Sequence, residues 1–227
     1  ADYNHMQIFM ENLLSEMAIS LTGGTKVDLA SGKTADFSVP FKRLDIMSEL
    51  QERIGRPLPD PNSEDSSEWS ELCTELGVAC PEPRTTARLL DKLIGHYLEG
   101  ECISPTFLIN HPQILSPLAK QHRDKTKIGL TERFELFIDG MELSNGYTEL
   151  NDPQEQLRRF NSQLLARQQG DAEAQPSNLE FVEALEHGLP PTTGCGIGVD
   201  RLVMLFANVQ QIREVICFPL LKTKKEQ

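Results

Sequence analysis

The sequence predicts an α+β fold, an antiparallel β-sheet flanked by helices. Three observations carry that expectation. Asp139-Gly140 stands between two strand-like runs, Arg133–Ile138 and Glu142–Glu149, a strong signal for a two-residue hairpin turn. Residues 6–21 put apolar side chains at Met6, Phe9, Met10, Leu13, Leu14 and Met17, the i, i+3, i+4, i+7 spacing of an amphipathic helix. The remaining helical patterns lie between strands that come as hairpins, which disfavours a doubly wound parallel sheet.

The first helix is stopped by Gly23-Gly24. Phe37-Ser38-Val39-Pro40 reads as a short strand leading into a helix over 45–54, which Gly55 and Pro57 end. Residues 57–68, rich in Pro, Ser and acids, read as an exposed loop. Helices follow over 68–77 and Thr86–Glu99, then a strand at Thr106–Ile109. Residues 153–169 form a polar surface helix, and 153–178 as a whole reads as a helical insertion on the surface of a domain that otherwise covers 1–227. Asp171–Pro176 is a loop and Leu179–Glu186 a short helix. The last unit is a glycine-rich strand over 194–198, a helix at Asp200–Asn208 and a strand at Val215–Phe218.

A chain of 227 residues buries one substantial core. No apolar run approaches the roughly 20 residues of a membrane span, and the first residues lack the basic and apolar regions of a signal peptide. Five scattered cysteines without a CxxC pair read as reduced thiols. The net charge of -12 argues against a nucleic-acid platform built from this stretch by itself. Its one basic run, Lys222–Lys225, reads as a solvated tail.

Two constellations point to chemistry. With a two-residue turn at 139–140, Ile138 pairs with Met141 and Phe137 with Glu142, so Glu135 and Glu142 share a face. Carboxylates that close repel unless a cation or solvent relieves them, and hard oxygen ligands suit Mg²⁺ shared with phosphates. An exposed polar sheet face accounts for the same pattern. Asn145, Tyr147 and Glu149 alternate onto one face, while strict alternation puts Glu142 on the other. A single site therefore requires a bulge between Leu143 and Gly146. A carboxylate beside a Tyr and an Asn suits a small cation such as an ammonium group. The second constellation is Gly194-Cys195-Gly196-Ile197-Gly198-Val199-Asp200-Arg201. Glycines on one strand face admit a ligand close to the backbone, and Arg201 in the next helix suits a phosphate. Neither a Rossmann fingerprint nor a Walker A loop is present.

The combination is more specific than its parts. "TERFELF", "ELSNGYTELNDP", "EALEHGLPPTTGCGIGVDRLVMLF" and "REVICFP" follow one another in that order, with "HPQILSPLAK" at 111–120. Together they resemble the C-terminal half of the class II lysyl-tRNA synthetase catalytic domain. The glycine-rich segment through Arg201 matches class II motif 3, and Arg84–Leu93 resembles cytosolic eukaryotic members. The resemblance implies ATP-dependent lysine activation and transfer to tRNA(Lys), Mg²⁺ as the metal, a homodimeric full-length protein, no membrane, and a cytoplasmic setting. It implies that Glu135 and Glu142 hold Mg²⁺ on ATP and that Arg201 meets the ATP phosphates. Asn145, Tyr147 and Glu149 are implied as the lysine pocket, Glu149 on the ε-ammonium and Tyr3 lining the same pocket. Gly194, Gly196 and Gly198 are implied as the floor under adenine and amino acid. Arg133 and Ser104–Asn110 match family positions and read as structural. Motifs 1 and 2 and an anticodon-binding OB-fold have no counterpart in these 227 residues.

Overall fold

A computed structural model describes residues 1–168, 170–171, 174 and 178–219. The basic run Lys222–Lys225 and most of the expected loop at Asp171–Pro176 lie outside the described residues.

Helix α1 (Tyr3–Thr22) is capped by Asp2, whose carboxylate accepts from the Asn4 and His5 amides, and it stops at Gly23 in the left-handed conformation (φ 85). Its buried face differs from the one periodicity picked out. Phe9 is 55% exposed, whereas Gln7, Glu11 and Ser15 are buried beside Met10, Leu14 and Ala18. The polar groups are satisfied there: Glu11 accepts from the Phe41 amide at 2.9 Å and pairs with Arg43 at 2.8 Å, and Gln7 accepts from Arg43 Nε at 2.9 Å.

Strands β1 (Lys26–Asp28) and β2 (Thr34–Asp36) form a small hairpin that the sequence reading passed over. The strand expected at Phe37–Pro40 is displaced: β3 is Lys42–Asp45. Asp36 accepts from both the amide and the hydroxyl of Ser38, at 2.9 and 2.6 Å, and this local turn takes the backbone out of a ladder. Helix α2 (Ile46–Ile54) begins on Asp45 and ends at Gly55. The loop before α3 (Ser67–Glu75) is pinned as well as solvated. Asn62 donates to the Gly129 carbonyl at 2.9 Å and accepts from Ile114 N at 3.0 Å, while Trp69 donates to Asp60 O at 3.0 Å. Helix α4 (Thr86–Tyr97) is capped by Thr85 and followed by a 3₁₀ turn at Glu99–Glu101.

A five-stranded sheet organises the chain. It runs β3, β4 (Thr106–Ile109), β5 (Arg133–Ile138), β6 (Met141–Thr148) and β7 (Thr193–Ile197); β3 is parallel to β4 and every other pair is antiparallel. Helix α5 (Pro153–Gln168) buries Phe160 and Arg159, whose guanidinium donates to the Ala119 and Ser116 carbonyls at 2.6 and 3.2 Å. Helix α6 (Leu179–Glu186) packs on α5 through Phe181 against Phe160. Helix α7 (Val199–Ala207) follows β7 and ends at Asn208 in the left-handed region (φ 56). The strand expected at Val215–Phe218 does not form. A 3₁₀ turn at Ile212–Glu214 precedes it, closed by a reciprocal Gln211–Glu214 cap, and no described strand lies beside it to supply ladder bonds.

Two apolar clusters cover the sheet unequally. Behind it, α1 and α7 pack on Phe107, Phe134, Leu136, Ile138 and Leu143. In front, α2, α3 and α4 cover the β3–β4 end and the neighbouring Phe137 of β5, over Leu44 and Leu108. Apart from Phe137, the front of β5, β6 and β7 adds nothing to either cluster, and the polar residues stand there.

Candidate functional site

The turn at Asp139-Gly140 (φ 53 and 71) is the expected two-residue hairpin, and Ile138↔Met141 and Phe137↔Glu142 pair as anticipated. The register then shifts. Leu136 faces Ser144 rather than Leu143, so Leu143 is the extra residue of a β-bulge. The bulge lies slightly earlier than the expected stretch between Leu143 and Gly146. Beyond it, Glu135 pairs with Asn145 and Arg133 with Tyr147. Paired residues share a face, so Arg133, Glu135, Glu142, Asn145 and Tyr147 all stand in front. Burial records the same alternation: Asn145, Tyr147 and Glu149 are half-buried, while Ser144, Gly146 and Thr148 between them are buried.

On β7, Gly194 pairs with Tyr147 and Gly196 with Asn145, so both glycines face front and Cys195 faces the rear core. A Cβ on Gly194 would lie 2.6 Å from Glu149 Oε1; the carboxylate folds over this strand because nothing occupies that position. Above Gly196 the space is open, with no heavy atom within 4 Å of where a Cβ would be. Gly198 donates its N–H to the carbonyl of the bulged Leu143 at 2.8 Å, and a Cβ on it would come within 3.3 Å of Arg201 Cδ. Arg201 lies back across that gap. It donates to Glu142 O at 2.5 Å, with Nη1 3.7 Å from Glu142 Oε2.

Arg133, read from the sequence as structural, is the centre of the cluster. Its Nη2 is 2.5 Å from Glu135 Oε1, its Nε donates to Asn145 Oδ1 at 3.1 Å, and its Nη1 reaches the Leu115 carbonyl and Ser116 Oγ. His111, which opens the 111–120 stretch but was given no role from the sequence, is 2% exposed and puts Nε2 3.3 Å from Glu135 Oε2. Parity with Glu135 was the available signal for Arg133. No local pattern marks His111, because a crossing loop brings it in.

Burial pushes the Glu135 carboxyl up, but His111 and Arg133 outweigh it and hold the group well below the carboxylate range. Burial holds His111 itself below the usual imidazole value. Glu142 is raised by burial and by its like-charged neighbour Glu135, with Arg201 and Arg133 only partly compensating. Glu149 is raised by burial, and no Lys or Arg pairs with it among the described residues. Tyr147 is raised by burial and by Glu149. Glu99, also missed in the sequence, is pushed to about 7 by burial with Glu135, Asp91 and Glu142 nearby.

Tyr3 stands apart and corrects the sequence reading. As the first residue of α1 it packs in the rear core, 6% exposed, with its N–H donating to Thr148 Oγ1 at 3.0 Å. Its hydroxyl donates to Asn110 Oδ1 at 3.3 Å and lies 3.1 Å from His122 Nε2. The Asp2 cap sets this orientation, and the sheet separates Tyr3 from Glu149.

Two acidic side chains, a fork-shaped cation that joins one of them to Asn145, a glycine floor and a half-buried carboxylate without a cationic partner among the described residues thus share one sheet face. The model that describes tRNA synthetases class II (D, K and N) matches residues 1–222. The chain belongs to that family. A lysine–tRNA ligase of Cladosporium cladosporioides is 44% identical over 99% of this chain and 39% of its own length. A protein of Enterocytozoon bieneusi named as a probable cytoplasmic lysine–tRNA ligase is 44% identical over 100% of the chain and 46% of its own. A lysine–tRNA ligase of Porphyromonas gingivalis is 41% identical over 99% and 38%. This synthetase chain therefore spans less than half the length of these curated relatives. Among its described residues, no helix is long and apolar enough to cross a membrane.

The donor set fits the Mg²⁺ that the family implies. Mg²⁺ takes one or two carboxylates and completes its shell with water and phosphate oxygens rather than an all-protein cage. Glu135 and Glu142 offer two carboxylates on one face; burial and then the Glu135 charge raise the Glu142 carboxyl, and a cation would relieve that repulsion. No group of three or more His, Cys, Asp or Glu side chains that could hold a metal is found among the described residues.

Proposed function

We propose that the protein carrying this chain activates lysine with ATP and transfers it to tRNA(Lys), and that the front of β5–β7 supplies its lysine and Mg-ATP contacts. The observation that carries this reading is Glu149: a half-buried carboxylate raised by burial, with no cationic partner among the described residues, beside the Tyr147 ring and against the bare backbone of Gly194. A buried charge without a counter-ion is costly, and a ligand ammonium removes that cost. An amino acid with an acidic or amide side chain would not. The names of the relatives as lysine–tRNA ligases support the same substrate, and the Enterocytozoon name supports a cytoplasmic setting.

In this reading Glu149 takes the ε-ammonium and Tyr147 lies along the aliphatic chain. Asn145, held by Arg133, points its amide at the lysine carboxylate end. That carboxylate attacks the α-phosphorus and pyrophosphate leaves; the ribose hydroxyl at the tRNA 3′ end then attacks the carbonyl of the adenylate and AMP leaves. Arg201 swings from the Glu142 carbonyl onto the phosphates, and Gly196 and Gly198 leave room for the nucleotide above β7. Mg²⁺, held by Glu135 and Glu142, would neutralise phosphate charge. Catalysis is then placement and charge complementarity, with no protein group required as a general base.

The test is lysine-dependent ATP–pyrophosphate exchange by the full-length protein and its Glu149→Gln variant. Losing a charged contact of this kind costs about 1.5–3 kcal/mol, so the KM for lysine should rise roughly 10- to 100-fold while the KM for ATP stays near wild type. An unchanged lysine KM removes the pocket assignment.

A further inference from the structure

Glu135 is gripped at both oxygens, and the two grips differ. On Oε1, Arg133 Nη2 stands at 2.5 Å with full hydrogen-bond geometry. On Oε2, His111 Nε2 stands at 3.3 Å without it, so this nitrogen has no hydrogen bond although it is buried. A buried polar nitrogen left unpaired is uncommon and costs roughly 1–3 kcal/mol.

The backbone around the ring is firmly held. Asn110, just before it, is in the left-handed conformation (φ 62) and donates its amide N–H to Arg133 O at 3.0 Å. The His111 carbonyl accepts from Thr131 N at 2.9 Å and Thr131 Oγ1 at 2.8 Å. The ring's other nitrogen, Nδ1, makes only a long 3.4 Å contact with Arg133 O, so the single proton of a neutral ring is assigned to Nε2, which faces the carboxylate. The ring is therefore a fixed feature beside the carboxylate, 3.3 Å from it but out of line for a hydrogen bond.

We infer that His111 is a positioning residue for Mg-ATP: its Nε2–H closes onto Glu135 Oε2 as the carboxylate turns to meet the metal, and the carboxylate's free lone pairs are thereby aimed at the ion. A carboxylate has about four acceptor sites, and Arg133 and His111 occupy two, which leaves two for a cation. Partners of this kind around a metal-binding carboxylate set its orientation and are worth roughly 10- to 100-fold in metal affinity. The inference rests on the proposed role of Glu135.

The experiment is calorimetric binding of Mg-ATP, and separately of lysine, to full-length protein carrying His111→Leu, His111→Gln, Glu135→Gln and the His111→Gln/Glu135→Gln pair. In His111→Leu the Kd for Mg-ATP should weaken by roughly 10- to 100-fold, with lysine binding within about twofold of wild type. His111→Gln, which keeps an N–H donor, should recover part of the loss. In the Glu135→Gln background the histidine substitution should add nothing. Wild-type Mg-ATP affinity in the His111 variants, equal losses for lysine and Mg-ATP, or full additivity in the double variant would each overturn the inference. If His111→Leu does not fold, the glutamine pair still decides through additivity. Should Glu135→Gln leave Mg-ATP binding unchanged, the role of Glu135 fails first, and the two failures are distinguishable.

Discussion

Glu135 lies directly opposite Asn145 across the β5–β6 ladder, and Arg133 spans the two, 2.5 Å from the Glu135 carboxylate and 3.1 Å from the Asn145 amide oxygen. The guanidinium fork thus couples a side chain assigned to the metal to one assigned to lysine. Lysine in place of arginine offers a point charge without the fork and cannot serve both partners together. Arg133→Lys should lower exchange activity at least roughly 10-fold, equivalent to losing one charged hydrogen bond of about 1.5–3 kcal/mol. Steady-state kinetics checks this, and wild-type activity would show that the bridge is dispensable.

The glycines of the front and rear faces predict opposite kinds of damage. A Cβ on Gly146 would meet Phe134 ring atoms at 2.6 and 2.8 Å and Cys195 Cβ at 2.9 Å. Phe134 is fully buried and stacked edge-on to Phe107, so it has nowhere to go. Gly146→Ala should therefore cost about 1–3 kcal/mol of stability by overpacking. A Cβ on Gly194 meets only the Glu149 carboxylate, which can swing aside. Gly194→Ala should leave the melting temperature nearly unchanged and weaken lysine use up to roughly 100-fold, the cost of a contact misplaced by about 1 Å. Melting curves and lysine KM values for both variants test the pair, and matching phenotypes would reject the assignment of faces.

Glu99 predicts a pH effect. Burial and the nearby Glu135, Asp91 and Glu142 raise its carboxyl from 4.5 to about 7. A carboxyl raised on folding favours the protonated form, so its contribution to stability is intact below pH 4.5 and is lost as pH climbs through 7. Above that, wild type carries a charge the fold disfavours, and glutamine does not. Without Mg-ATP, Glu99→Gln should melt above wild type at about pH 8 and converge with it at the acidic end. A difference independent of pH would contradict the assignment.

Much of the fold is legible along the chain because its signals are local. The Asp139-Gly140 turn, the glycine stops at Gly23 and Gly55, and the alternation of Asn145, Tyr147 and Glu149 each depend on neighbours within a few residues. Where a local contact competes, the local signal misleads. Asp36 captured Ser38 and moved the expected strand on to Lys42–Asp45, and the Gln211–Glu214 cap preceded a stretch that stayed out of any described ladder. On α1, periodicity chose Phe9 for the core, but partners distant in sequence, Phe41 and Arg43, made Gln7 and Glu11 the buried residues instead.

By itself the sequence determined the antiparallel hairpin, its register at the turn, the family, and the residue types of an acidic, glycine-floored site. Tertiary structure decided which of these residues meet. Side-chain direction in a strand is fixed by parity, and one extra residue at Leu143 reverses it, which sets Glu142 on the face of Asn145 and Tyr147. Tertiary packing also turned Tyr3 to the rear core and carried His111 to Glu135. Such meetings depend on chain segments tens of residues apart being packed together, and no local pattern encodes that distance.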